Sequence, residues 1–337
     1  MSLALGSMFF VVVHYAVKAA WSVTVRRVAE LFMRPMPIFA VLAIPLVLTI
    51  GHLFPWLGAK HVTTESMVDP SAVQAPSDDP LAEMRGYEER EPVAMRDLPA
   101  RSTARMARAA EHAEALIIKH KSPYMNKRLF LIRLIAYLII WSWIVHRYFG
   151  WSTAQDQDKA LENTAAGQRF APVALILFGL TVTFFAFDWL LSLDPTWYST
   201  IFGVTVFAQC ALFQMAAMIL MALALRRSGL LGDSVNVEHF HDMGKLLFGW
   251  IVFWSYVSFA QFFLTWYSNI PDEVEWYHKR WHDNGGTWEA MSITIVLMHF
   301  FIPFWFLMSR NIKRNLPFLA AGAVCMVVMH VVEVYWL

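Results

Sequence analysis

Eight long apolar runs dominate the sequence, at about 3–25, 36–57, 127–149, 170–193, 200–225, 244–269, 288–309 and 316–337. Each is about 20 residues long, enough for an α-helix to cross the hydrocarbon of a bilayer. In that medium the backbone has no water to bond, so spanning segments close their hydrogen bonds internally, as helices do. Composition agrees: 58% of the 337 residues are hydrophobic and 16% are charged, against roughly a quarter charged in soluble domains. The expected fold class is an all-α polytopic membrane protein.

Several function classes drop out. The net charge is +1, with no basic block of the kind that tracks nucleic acid. Cys210 and Cys325 each lie alone in an apolar run, without CxxC or CxxCH spacing. The chain is therefore not expected to ligate an iron–sulfur cluster or a c-type haem. No basic segment follows Met1, so the first run reads as a span and not as a signal peptide. The last run stops at Leu337 without a polar flank, and the full protein is expected to continue past both ends.

Basic residues mark alternate connections. Arg26, Arg27 and Arg34 follow the first run, and Arg147, Lys159 and Arg169 follow the third. Arg226, Arg227 and Lys245 follow the fifth, and Arg310, Lys313 and Arg314 the seventh. The short opposite connections hold only Lys279 and Arg280. The positive-inside rule then places the four basic connections in the cytoplasm and the long 58–126 segment outside. The later part of that segment, STARMARAAEHAEALIIKHK (102–121), reads as a capped amphipathic helix, solvated or docking a partner.

An internal repeat is legible. GSMFFVVVHYAVKAAWSVTVRR (6–27) and VFAQCALFQMAAMILMALALRR (206–227) are both 22 residues long and end in Arg-Arg. Pro172 precedes Asp188 by 16 residues, and Pro317 precedes Glu333 by 16. The expectation is two parallel-repeat four-helix bundles, one from 1–57 with 127–193 and one from 194–337.

Ionisable side chains inside these runs are the candidate functional residues, because a charge at mid-bilayer costs about 2.5–3.5 kcal/mol even on insertion scales. Asp188 and Arg133 fall at similar depth on sequential helices, which predicts an ion pair. Glu333 is the repeat counterpart of Asp188, with His330 one turn before it. His14 and Lys18 are spaced to share one face of the first helix, and His299 lies near the middle of the seventh. Ser255, Ser258 and Gln261 draw a polar line along the sixth, and Gln214 lies on the fifth. Together these residues could carry protons from the cytoplasmic side to the level of Asp188 and Glu333. Each singly could equally be a satisfied core group, and Arg133–Asp188 could simply join two helices. His-x-x-Glu can be read as half of a metal site, and His14 with His299 as the axial pair of a b-type haem. Neither is the expected reading, since each helix supplies only one such element. The aromatic and Met richness reads as packing material.

The run FAFDWLLSLDPTWYSTIFGVTVFA, which contains Asp188, resembles the signature of the membrane subunits of alternative complex III, a bacterial quinol:cytochrome c oxidoreductase. More narrowly, it resembles their ActF-type, or quinone-binding-subunit-2, branch. ALGSMFFVVVHYAVKAAWSVTVRRVAE (4–30), NKRLFLIRLIAYLIIWSW (126–143) and FGWIVFWSYVSFAQFFLTWYSNIPDE (248–273) support the likeness, which covers essentially the whole chain. The resemblance implies about ten membrane helices, with the central eight in this sequence, and kinship with NrfD/PsrC-like polysulfide-reductase anchors. It implies a multi-pass subunit of the bacterial inner membrane with the 58–126 loop in the periplasm. The implied partners are a sister quinol-site subunit, an iron–sulfur subunit and c-type cytochrome subunits, which carry the clusters and haems. The chain itself is expected to bind no metal and to be accessory rather than catalytic. A quinone is a possible ligand, with Arg133 and Asp188 as candidate lining, and the acids, His330 and the polar line as the proton-transfer set. The competing reading is a structural anchor, and a secondary transporter is a third class that predicts helices broken near mid-membrane.

Overall fold

In the computed structural model, residues 1–58, 116–231, 235–281 and 286–337 are described. Their regular structure is entirely helical. In chain order the helices are α1 (Ser2–Ala16), α2 (Val23–Met33), α3 (Ile38–Leu48), α4 (Lys127–Asp158), α5 (Leu161–Trp189), α6 (Phe202–Arg227) and α7 (Val237–Ser268). There follow α8 (Pro271–Trp281), α9 (Thr287–Ile295), a π-helical turn (Val296–Phe301), α10 (Ile302–Met308), α11 (Arg310–Arg314) and α12 (Leu316–Trp336). The described residues divide into two compact units, 1–49 with 130–337, and 50–129. In the second, Ile50–Leu53 and Pro55–Gly58 form short helical turns, and Asn126 caps α4 by accepting from the Leu129 N–H at 2.9 Å. Most of the amphipathic helix expected at 102–121 lies outside the described residues, although 116–121 is helical.

Seven helical segments among the described residues are long and apolar enough to cross a membrane. They are Val23–Leu48, Lys127–Asp158, Leu161–Leu193, Phe202–Arg227, Val237–Ser268, Thr287–Met308 and Leu316–Trp336. The chain is a multi-pass membrane protein. Several helices outrun their apolar cores: Arg147 and Arg169, expected in a connection, lie on α4 and α5, which are joined by Lys159 and Ala160. Lys159 takes a positive φ of 53° there, ending α4 in a left-handed residue.

The first expected span, 3–25, is not one helix. α1 stops at Ala16 after 15 residues, about 22 Å. Lys18 adopts φ 52°, the Ala19 N–H bonds the His14 carbonyl at 2.9 Å, and the Lys18 N–H bonds the Tyr15 carbonyl at 3.3 Å. This pair of bonds is the Schellman ending of a helix, in which a left-handed residue lets the chain satisfy its last carbonyls and reverse. Arg26 and Arg27 therefore belong to a new helix, α2, and not to the end of the first span. The 6–27 and 206–227 segments share their length and the Arg-Arg end, but only the second is an unbroken helix.

α6 organises the rest. It packs against α1, α2, α5, α7 and α12, and most of its length is buried. Without a hydrophobic drive between helices in lipid, close approach depends on small residues. Gly6 supplies it on α1: a Cβ there would overlap the Cys210 carbonyl oxygen and come within 2.6 Å of the Gln214 Cβ. Gly6→Val is expected to destabilise the fold by about 1–3 kcal/mol through overpacking. Thermal unfolding in detergent would read this, with Gly249→Ala unchanged, because a Cβ at Gly249 meets nothing within 4 Å.

Candidate functional site

Among the described residues, three buried acids lie on the membrane helices, and their surroundings differ in one decisive way. Glu30 on α2 is 1% exposed and lies 3.4 Å from Arg26 and 3.0 Å from Arg27, while the Ser152 hydroxyl donates to it at 2.6 Å. Arg27 also pairs with Asp156, so α2 is clasped to α4. Asp188 on α5 is 2% exposed and takes a two-point pair from Arg133 of α4, Nε to Oδ2 at 2.8 Å and Nη2 to Oδ1 at 2.9 Å. The Tyr137 hydroxyl adds a third bond to Oδ2 at 2.7 Å. The ion pair read from helix depth is therefore present. Its geometry is a two-point clamp between α4 and α5: a planar guanidinium fork on a carboxylate.

Glu333 on α12 is 3% exposed and has no Arg or Lys among its described polar partners. Its Oε1 accepts from the Gln209 amide of α6 at 2.6 Å and from the Trp254 indole of α7 at 2.7 Å. Its Oε2 has no hydrogen bond and lies 3.5 Å from Nδ1 of His299. His299 is fully buried, stacks face to face on Trp254 with centroids 4.0 Å apart, and has neither ring nitrogen bonded. It sits in the π-helical turn, an insertion that re-aims one side chain and that recurs at functional sites. His330, one turn back along α12, stacks on Phe213 at 4.3 Å and also leaves Nδ1 unbonded. Glu333, His299 and His330 thus each carry a buried polar atom without a hydrogen bond from the described residues.

Glu333 forms part of the wall of a cavity of about 630 Å³ bounded by α6, α7, α8, α9 and α12. Gln209, Ser255, Ser258 and Gln261 bring amides and hydroxyls to the same wall, and the Ser258 hydroxyl is buried and unbonded. Most of the remaining wall is aromatic, and Tyr256 and Phe259 in it are 69% and 62% exposed. α8 closes one end. Arg280 donates to the carbonyls of Trp336 and Leu337 at 3.1 and 2.7 Å, and lies 3.6 Å over the Trp276 ring. Burial lowers the Arg280 guanidinium to about 10 and raises the Tyr277 phenol to about 12. Asp194, beside α8, is raised by burial but held below its ordinary value overall by the Thr196 hydroxyl and the Lys279 ammonium.

The structure thus brings together Glu333, Ser255 and Gln261 in one wall, with His299 3.5 Å from the acid and His330 one turn back along α12 against Phe213. It leaves other sequence candidates elsewhere. Lys18 is exposed on the turn after α1, so the shared His14–Lys18 face does not exist. His14 donates Nδ1–H to the Phe10 carbonyl at 2.7 Å and packs on Phe10 and Trp21. Gln214 is held toward Met218, at 3.5 Å from its sulfur. Arg133 and Asp188 do not line the cavity. Among the described residues, no three His, Cys, Asp or Glu side chains gather as a metal site. Sequence reasoning missed Gln209, Trp254 and Glu30. Gln209 had a signal, as one of two amides in a run without charge, whereas Trp254 was indistinguishable from packing aromatics. No protein-family model matches the chain, and no curated protein matches it either.

Proposed function

We propose that this chain is an integral membrane subunit of a bacterial quinol-oxidising respiratory complex of the alternative complex III kind, and that its second half handles protons. The observation that carries the proton role is Glu333, a buried acid without an arginine or lysine, next to an unbonded histidine, in the wall of a cavity with aromatic sides. Quinol oxidation releases protons along with electrons. In this reading the electrons leave through haem and iron–sulfur partner subunits, and the Glu333–His299 couple takes up or passes on the protons. Arg133 and Asp188 lie outside the cavity, so a flat quinol ring is better placed against Gln209, Trp254 and Glu333 in its wall, and the quinone candidates move to these. The proposed arrangement is two four-helix bundles in the inner membrane, basic connections in the cytoplasm and the 58–126 segment in the periplasm. A purely anchoring role is favoured for the first half by its two closed clasps, Glu30 with Arg26 and Arg27, and Asp188 with Arg133.

Affinity purification of the full chain from native membranes tests membership of such a complex. Subunits carrying covalent haem and iron–sulfur clusters should co-purify, with quinol:cytochrome c reductase activity. A chain that purifies without any redox-active partner would overturn the assignment.

A further inference from the structure

The wall of the Glu333 cavity carries two polar stations, one turn apart on α6. At the first, Gln209 and Trp254 both donate to Oε1 of Glu333, at 2.6 and 2.7 Å. At the second, Thr205 of α6 donates to Oε1 of Gln261 of α7 at 3.4 Å. The Tyr277 phenol of α8 lies within hydrogen-bonding reach of the same Gln261 amide. Residues of both stations line the cavity. Thr205 and Gln209 are four residues apart, a rise of about 6 Å along a helix. That is close to the span of a six-membered ring with an oxygen at each end.

The stations offer opposite chemistry. Glu333 uses Oε1 for its two donors and keeps a second carboxyl oxygen as an acceptor. Gln261 uses its carbonyl for Thr205, so what it can add is an amide N–H. A para-hydroquinone matches both, because one hydroxyl can donate to the acid while the opposite oxygen accepts from the amide. Phe202, Trp276 and Phe300 give the same cavity flat apolar sides for the ring. Charge argues against a phospholipid headgroup. Among the lining residues the cation is Arg280, and its guanidinium is taken up by the Trp276 and Trp336 carbonyls. A phosphate would find no free cation in this wall and would meet Glu333 instead. The exposed Tyr256 and Phe259 also line the cavity, so an apolar tail can leave beside them.

We infer that a para-hydroquinone ring bridges the two stations, one oxygen at Gln209 and Glu333 and the other at Gln261, and that Gln261 sets the orientation of the ring. This rests on the quinol reading of the cavity, and the test separates the two. Ser255→Cys puts a thiol in the cavity wall. Its protection from a small thiol reagent in the intact complex, read by peptide mass spectrometry, reports occupancy of this cavity and of no other quinol site. Three probes with the same short alkyl tail are compared without oxygen: the para-hydroquinone, its meta isomer, and the phenol with a single hydroxyl. The para ring should protect at about tenfold lower concentration than either of the others, the effect of one hydrogen bond. Adding Gln261→Leu should make the para ring and the phenol protect alike. Adding Thr205→Val, which withdraws the hydroxyl bonded to Gln261, should narrow the gap between them. A para preference undiminished by Gln261→Leu would overturn the bridge while leaving a quinol in the cavity. Equal protection by the para and meta rings would do the same, and that comparison needs no change at Gln261. Protection by none of the three probes would remove the quinol reading of the cavity, and the bridge with it.

Discussion

Glu333→Gln is expected to fold and assemble normally and to lose proton-coupled turnover. The glutamine keeps the shape, and its carbonyl oxygen can still accept from Gln209 and Trp254, so the contacts joining α6, α7 and α12 survive. What disappears is the group that gains and loses a proton. An ionised carboxylate at 3% exposure is costly without a counter-charge, and none of its described partners is an arginine or lysine. Its charge can therefore be balanced only by its own proton or by one on His299, 3.5 Å away. Positioned acid–base groups contribute about 10²–10⁴-fold in rate, so turnover should fall about 10²-fold if this step is coupled to quinol oxidation. The measurement is quinol:cytochrome c turnover and proton stoichiometry in proteoliposomes, alongside the melting temperature. His299→Gln should reproduce the loss, and Glu333→Asp should restore part of it. A Glu333→Gln enzyme with wild-type stoichiometry and turnover would remove the proton role from this site and leave the chain as an anchor.

The two acids were legible in the sequence for the same reason, as charges in apolar surroundings, but their difference was not. The partner of Asp188 could be placed because α4 and α5 are sequential and antiparallel, so depth follows from counting residues. The partners of Glu333 come from Gln209 and Trp254, 124 and 79 positions away, and from a π-helical turn that leaves no mark in hydropathy. Packing among α6, α7, α9 and α12 decides these contacts, and no periodicity encodes it. The end of α1 was illegible for a local reason. Chain reversals of this kind normally use glycine at the left-handed position, since other residues cost roughly 1–2 kcal/mol there. Here Lys18 occupies it, between Val17 and Ala19 and without a proline or glycine to punctuate the run. Hydrophobicity therefore read through the break, and the Arg-Arg match to α6 strengthened the error.

Asp188→Asn should behave in the opposite way, failing in stability before it fails in transport. The carboxylate accepts three hydrogen bonds, two from one guanidinium and one from Tyr137. Removing its charge takes from Arg133, 19% exposed, the carboxylate that its guanidinium forks, and breaking a buried pair on one side costs about 3–5 kcal/mol. Arg133→Gln should cost a similar amount, because it strands the carboxylate instead. A double variant separates this from any role in proton movement. Replacing both partners with apolar residues of similar bulk, Arg133→Met with Asp188→Leu, removes the charge and its compensation together. Such exchanges are often neutral or stabilising, so much of the lost stability should return, with proton stoichiometry intact. Thermal unfolding of the four proteins gives the coupling energy, and proteoliposome measurements on the double variant give the function. If that variant is stable but no longer moves protons, or if Asp188→Asn alone keeps full stability and loses transport, Asp188 is a carrier. The assignment of a clamp to the first half and a titrating site to the second would then fail. The geometry favours the clamp: Arg133 holds both oxygens of the carboxylate, at 2.8 and 2.9 Å, and Tyr137 bonds one of them again at 2.7 Å, so the group joins two residues of α4 to α5.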